Sequence, residues 1–184
     1  MDRRREKAMI ALVMVFLIFL IFFGFVGSAR GWAKEVLVIA SVILALAVIA
    51  LLDDLLNLDE LIKNKVVWYW ICMFILFIMV IFGYQSPKVS RISKATEKRA
   101  QIGDWILGFL MGMISGYFVV GSAWHFSNLA GYPLINDFIR PPAANFAEAT
   151  ERVLAILPPT WLDTPLTVFI AVVVIFVFVI IYFL

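Results

Sequence analysis

Reactive polar side chains are scarce in this sequence. Its 184 residues include one cysteine, Cys72, and one histidine, His125. A lone cysteine excludes a disulfide within the chain and excludes a CxxC or thiolate metal site. A lone histidine excludes a protein-only histidine cluster, so no metal site is expected. Charged residues make up 15% of the chain, against about 25% in a soluble domain. The net charge of +2 is small, and the basic residues stand beside apolar runs rather than along one face. That distribution is not a nucleic-acid-binding surface. The polar connections hold no nucleophile beside a base, no paired carboxylates and no phosphate-binding loop. The chain is therefore read as a non-enzyme. Asp53, Asp54, Asp59 and Glu60 read as a solvated acidic face, not a metal site.

What is present is apolar: 64% of the residues are hydrophobic. The composition is that of an integral membrane protein whose first partner is the lipid bilayer. A bilayer crossing takes about 20 apolar residues on a helix, and the sequence offers five such runs. They lie at about 8–27, 35–52, 66–84, 102–126 and 165–184. The first follows a charged lead, DRRREK, but exceeds the about 7–15 apolar residues of a signal peptide. It reads as a transmembrane helix. The connection 28–34 is short, so spans one and two must form an antiparallel hairpin. Trp68-Tyr69-Trp70 opens the third span as an interfacial aromatic anchor. Leu55, Leu58, Leu61 and Ile62 recur at helical intervals in 53–65, which suggests a turn or two at the membrane surface.

The fourth span carries the clearest pattern. Gly108, Gly112 and Gly116 fall four apart, flanked by Ser115, Ser122 and Ala123. Small residues at this spacing leave a groove where another helix backbone approaches closely. Helix packing is accordingly preferred over a pore lining. Ionisable residues inside spans usually mark transport routes. The fourth span shows only Asp104 and His125, one at each end, and the central portions of the other spans show none. His125 reads as an interfacial polar residue. The sharper alternative is an axial ligand to haem or a chlorophyll-type pigment, with Gly121 one turn away giving a flat macrocycle room.

Residues 127–164 are the longest extramembrane piece. Pro141-Pro142 and Pro158-Pro159 bracket a segment with an apolar side, which predicts an amphipathic surface helix at about 143–157. The fold class is thus all-α: one polytopic membrane domain with five spans, the first four packed around the glycine face of the fourth. Lys and Arg divide almost evenly between the two sides. Orientation therefore rests on the cluster Lys88, Arg91, Lys94, Lys98 and Arg99 and on the acidic 53–60 connection. These place the N-terminus outside and 28–34 and 85–101 in the cytoplasm.

Two motifs stand in order along the chain. Arg30-Gly31-Trp32-Ala33-Lys34-Glu35 reads R-G-aromatic-x-x-E, and Asp104-x-x-x-Gly108-x-x-x-Gly112-x-x-x-Gly116 opens the fourth span. Together they resemble the colicin V production protein (CvpA) family over roughly residues 8–126. In that family the first hairpin turn reads R-G-F-x-x-E and the fourth span D-x-x-x-G-x-x-x-G-x-x-x-G. Ser115 and Trp105 stand where the family often has arginine, and the fifth span lies outside its pattern. The resemblance implies a bacterial inner-membrane protein with a transport-associated or scaffolding role in the envelope and no assigned catalytic residues. The alternative is a small accessory subunit of a respiratory or photosynthetic complex, packed against partner helices, lipids or pigments. Either reading expects other membrane subunits or further copies of the chain as partners. The motifs also suggest an ion pair between Arg30 and Asp104, joining the hairpin turn to the glycine helix.

Overall fold

The computed structural model describes residues 3–56, 64–85, 98–133 and 147–183. All regular structure among them is helical: α1 Arg3–Arg30, α2 Trp32–Leu56, α3 Lys65–Tyr84, α4 Lys98–Leu129, α5 Ala147–Leu154, α6 Pro158–Trp161 and α7 Pro165–Phe183. Four of these contain stretches long and apolar enough to cross a membrane: Leu12–Arg30, Trp32–Asp54, Lys65–Tyr84 and Ile102–Leu129. In α7 the apolar stretch Pro165–Ile181 is shorter. The acidic connection over 57–63, the basic residues Lys88, Arg91 and Lys94, and Pro141-Pro142 lie outside the described residues.

Helix ends follow local chemistry. Gly31 separates α1 from α2 with a positive φ of 93°, a conformation that glycine adopts without the Cβ clash. Its N–H donates to the Gly27 carbonyl at 2.8 Å. Asn64 caps α3 by accepting from the Val66 N–H at 3.0 Å, which satisfies an orphan donor of the first turn. α4 stops at Gly131, also left-handed at 72°, and the Tyr132 N–H returns to the Ser127 carbonyl at 2.8 Å. That return bond closes a Schellman-type cap.

The largest buried apolar cluster lies mainly along α2, while α4 packs on α1, α2 and α3 and turns its glycine row to α1. Val38, Val42, Ala45 and Leu46 are buried, and α2 packs on α3, α4 and α7. α1 instead lies along the other side of α4. The two run antiparallel, since Gly27 meets Gly108 and Gly112 while Phe16 meets Trp124.

The helix in the segment between the two proline pairs ends earlier than predicted. α5 ends at Leu154, and the chain then turns, with the Ile156 N–H bonded to the Val153 carbonyl at 3.1 Å. The prolines open α6 rather than ending α5. Residues 143–146 lie outside the described residues. Val153, Leu154 and the fully buried Leu157 pack with Phe16 and Trp124, while Glu151 and Arg152 are exposed.

Candidate functional site

The two motifs meet in space. On the glycine row, a Cβ built on Gly112 would stand 2.9 Å from Gly27 Cα, and one on Gly108 would stand 2.7 Å from the Gly27 carbonyl oxygen. One on Gly116 would strike Phe23 Cβ at 2.7 Å. Neither helix tolerates a side chain there, so backbone meets backbone. The sequence pattern located the α4 half of this contact. It passed over Gly24 and Gly27 on α1, which stand only three apart and do not form the four-residue repeat.

Arg30 ends α1 and Glu35 lies in the first turn of α2, where the helix dipole favours a carboxylate. Arg30 Nη1 donates to Glu35 Oε1 at 2.6 Å. Its Nη2 donates to the Tyr84 carbonyl at 3.3 Å, and the guanidinium lies 4.1 Å from the centroid of the Tyr84 ring. The second carboxylate oxygen, Glu35 Oε2, accepts from the Ser115 hydroxyl at 2.5 Å. Four helices therefore converge on one ion pair. The Arg30 side chain is 20% exposed and that of Glu35 is 0% exposed.

This geometry corrects the expected pair. The guanidinium is taken by Glu35 and Tyr84, and Asp104 is exposed on the first turns of α4, beside an open Gly103. α4 runs past the α1–α2 turn, so its aspartate stands clear of the hairpin. The register of the glycine contact decides this, because pairing Gly27 with Gly108 leaves Asp104 one turn beyond it.

Arg30 is the last residue of α1, Glu35 stands in the first turn of α2 and Tyr84 is the last residue of α3, so the ion pair sits at the hairpin end of these three spans. Ser115 lies 13 residues from Ile102 and 14 from Leu129, about 20 Å from either end at 1.5 Å per residue. α4 is the longest of the apolar helices and extends on both sides of its contact with Glu35. The sequence pattern sets Glu35 at the start of the second span and offers Ser115 only as a small packing residue. The signal was available in the missing arginine at Ser115, but no spacing within one helix reveals a contact between residues 80 apart.

Ser122 follows one heptad on and is fully buried, and its hydroxyl makes no hydrogen bond. Ala123 is half-buried against the α2 cluster. His125 is half-buried and meets Phe126 edge-on, with ring centroids 5.8 Å apart. The face of Gly121, offered by the sequence to a flat macrocycle, is filled: a Cβ there would lie 3.0 Å from Pro158 Cδ and 3.2 Å from Leu157 Cδ2. Below it, Trp124 Nε1 donates to the Tyr132 hydroxyl at 3.3 Å, and burial pushes the Tyr132 phenol above its ordinary value. Among the described residues no group of three or more His, Cys, Asp or Glu could hold a metal ion. Comparison with protein-family models, curated proteins and solved structures returns no match.

Proposed function

We propose that the chain is a CvpA-like protein of the bacterial inner membrane with a transport-associated or scaffolding role in the envelope. The observation that supports this reading is the convergence of the two motif segments. The R-G-aromatic-x-x-E turn supplies Arg30 and Glu35, and the fourth span supplies Ser115 to the same ion pair. Gly27, four residues before the turn glycine, supplies the backbone on which Gly108 and Gly112 rest. A shared pattern in two distant segments is what a single folded site would produce. In this reading Asp104 serves the helix entrance, and the fifth span, α7, is an addition to the four-helix unit. Expression in cells lacking their own CvpA-type protein tests the role directly. Restored colicin V production supports it, and failure by a chain that reaches the membrane counts against it.

A second reading is favoured by the outer face of α3. Trp70, Phe74 and Phe77 are exposed and, with Val67, Ile71 and Met73, line an apolar groove of about 620 Å³. An accessory subunit packed against a partner helix would cover such a face. Stoichiometric foreign subunits retained through purification in mild detergent would favour that reading. Purification of the chain alone, or only with itself, would count against it.

A further inference from the structure

The segment after Arg152 docks well below the end of α4. Leu157 and Pro158 lie on Gly121, Trp161 stands edge-on to Phe118, and the Tyr117 hydroxyl donates to the Ile156 carbonyl. α3 gives the scale of depth. Its 20 residues span about 30 Å, the thickness of a hydrocarbon core. Tyr84 at one end receives Arg30, and Tyr69, near the other end, meets Ser127 of α4. Gly121, Phe118 and Tyr117 stand six, nine and ten residues from Ser127 toward the hairpin, which is about 9–15 Å deeper along the helix. Tilting α4 shortens these distances but keeps their order.

The same face of α4 is bare nearer the hairpin. Leu110, Ile114, Tyr117 and Gly121 follow at intervals of four, three and four residues and so share one side of the helix. Leu110 and Ile114 are exposed, whereas the docked segment buries Gly121. Composition and bonding fit a seat beside lipid. Residues 153–162, VLAILPPTWL, carry no charge, and the exposed Arg152 and Asp163 bound them. Irregular backbone is tolerated in hydrocarbon only where the protein satisfies its polar groups. The N–H groups of Ala155, Ile156, Leu157, Thr160 and Leu162 all donate to carbonyls between Glu151 and Pro158, and Pro158 and Pro159 have none. The Leu157 carbonyl takes the Thr160 N–H, the Ala155 carbonyl takes the Thr160 hydroxyl at 3.0 Å, and the Ile156 carbonyl takes Tyr117.

We propose that residues 153–162 form a re-entrant element, seated in the leaflet away from the α1–α2 turn and in contact with lipid acyl chains. The chain enters after Arg152, whose long side chain reaches back to the headgroups, and returns to water at Asp163. Ile156 and Trp161, 61% and 45% exposed, supply the lipid contact. Trp161 gives its indole N–H to the Tyr117 hydroxyl at 3.3 Å, so what it turns outward is apolar. A helix lying flat on the membrane surface needs no such bond, because water satisfies its turn. The Tyr117 hydroxyl does for this turn what water cannot do at that depth.

Spin labelling of the full chain in lipid vesicles tests it, with single cysteines in a Cys72→Ser background. Ala155→Cys and Ile156→Cys carry the label at exposed positions of the turn. Glu151→Cys is the water reference, and Ile18→Cys, exposed on α1, is the lipid reference. Collision with oxygen, which partitions into acyl chains, is compared with collision with a water-soluble nickel chelate. The oxygen-to-nickel ratio at Ala155 and Ile156 should exceed that at Glu151 severalfold and approach that at Ile18. A ratio equal to that at Glu151 puts the turn in water and overturns the proposal. Low collision with both probes means that protein covers the turn, a second copy included, and overturns it equally. Should one labelled variant lose its helical signal, the other is read alone.

Discussion

Gly27 on α1 and Gly112 on α4 touch through their backbones: a Cβ added to Gly27 would stand 2.6 Å from Gly112 Cα. Because both partners are main chain, neither can yield without moving a helix. Gly112→Leu should therefore lower stability in detergent by about 1–3 kcal/mol or more, as overpacked interiors do. Phe109 is no control for a lipid-facing site, since its ring lies over Gly24 and edge-on to Phe25. Leu110 is 50% exposed, and Leu110→Phe should stay within about 0.5 kcal/mol of wild type. Thermal scans of the helical signal compare the two. Equal losses would place the contact on the wrong face.

The ion pair gives a second comparison. Breaking a buried pair on one side costs about 3–5 kcal/mol, and the partial exposure of Arg30 brings the expected loss in Glu35→Ala to about 2–3 kcal/mol. Asp104→Ala should stay within about 0.5 kcal/mol of wild type. A double-mutant cycle on Arg30 and Glu35 should show coupling above about 1 kcal/mol, and one on Arg30 and Asp104 should be additive. Coupling to Asp104 instead would mean that the hairpin sits one turn further along α4.

These two contacts show where sequence reasoning stops. The four helices were legible because apolar runs of that length permit nothing else in lipid. The glycine row was legible because its period is that of one helix. Gly27, Ser115 and Tyr84 were not, since each acts through a partner on another helix. The Arg30–Glu35 pair was within reach, five residues apart across a tight turn. Asp104 opens the longer motif, but motif length carries no information about which acid faces Arg30. Pro158-Pro159 predicts the end of α5 too late, because the turn at Ala155–Leu157 begins before the prolines.

Topology follows from the antiparallel packing of α1 on α4. Ala29 lies at one end of the bundle, and Asp163, exposed before α7, follows the segment beyond the opposite end of α4. Single cysteines at these positions in a Cys72→Ser background should react with an impermeant reagent from opposite sides of the membrane, Ala29→Cys from the cytoplasm. A tag fused after Leu184 should be reached from the Ala29 side if α7 crosses. Access to the tag from the Asp163 side would make α7 a surface or re-entrant helix and leave four spans.

The last prediction concerns the segment docked against Gly121. Leu157 and Pro158 are fully buried on that glycine, and the Tyr117 hydroxyl donates to the Ile156 carbonyl. Trp161 adds an edge-on contact to Phe118, with centroids 5.9 Å apart, and its Nε1 donates to the Tyr117 hydroxyl at 3.3 Å. The segment is thus held by one face of α4, at a point where a Cβ falls at the limit of contact. Gly121→Ala requires a shift of only a few tenths of an ångström and should change little. Gly121→Leu has no room beside Pro158 Cδ and should lift α5 and α6 from the bundle. Arg152 is exposed on α5, so trypsin acting on the protein in detergent reads the difference. Cleavage after Arg152 should quicken in Gly121→Leu by tenfold or more, since losing about 1.4 kcal/mol of docking raises the open population tenfold. His125→Ala, on the same helix but not under Pro158, should leave the rate unchanged. Equal cleavage in Gly121→Leu and wild type would show that the segment is held elsewhere.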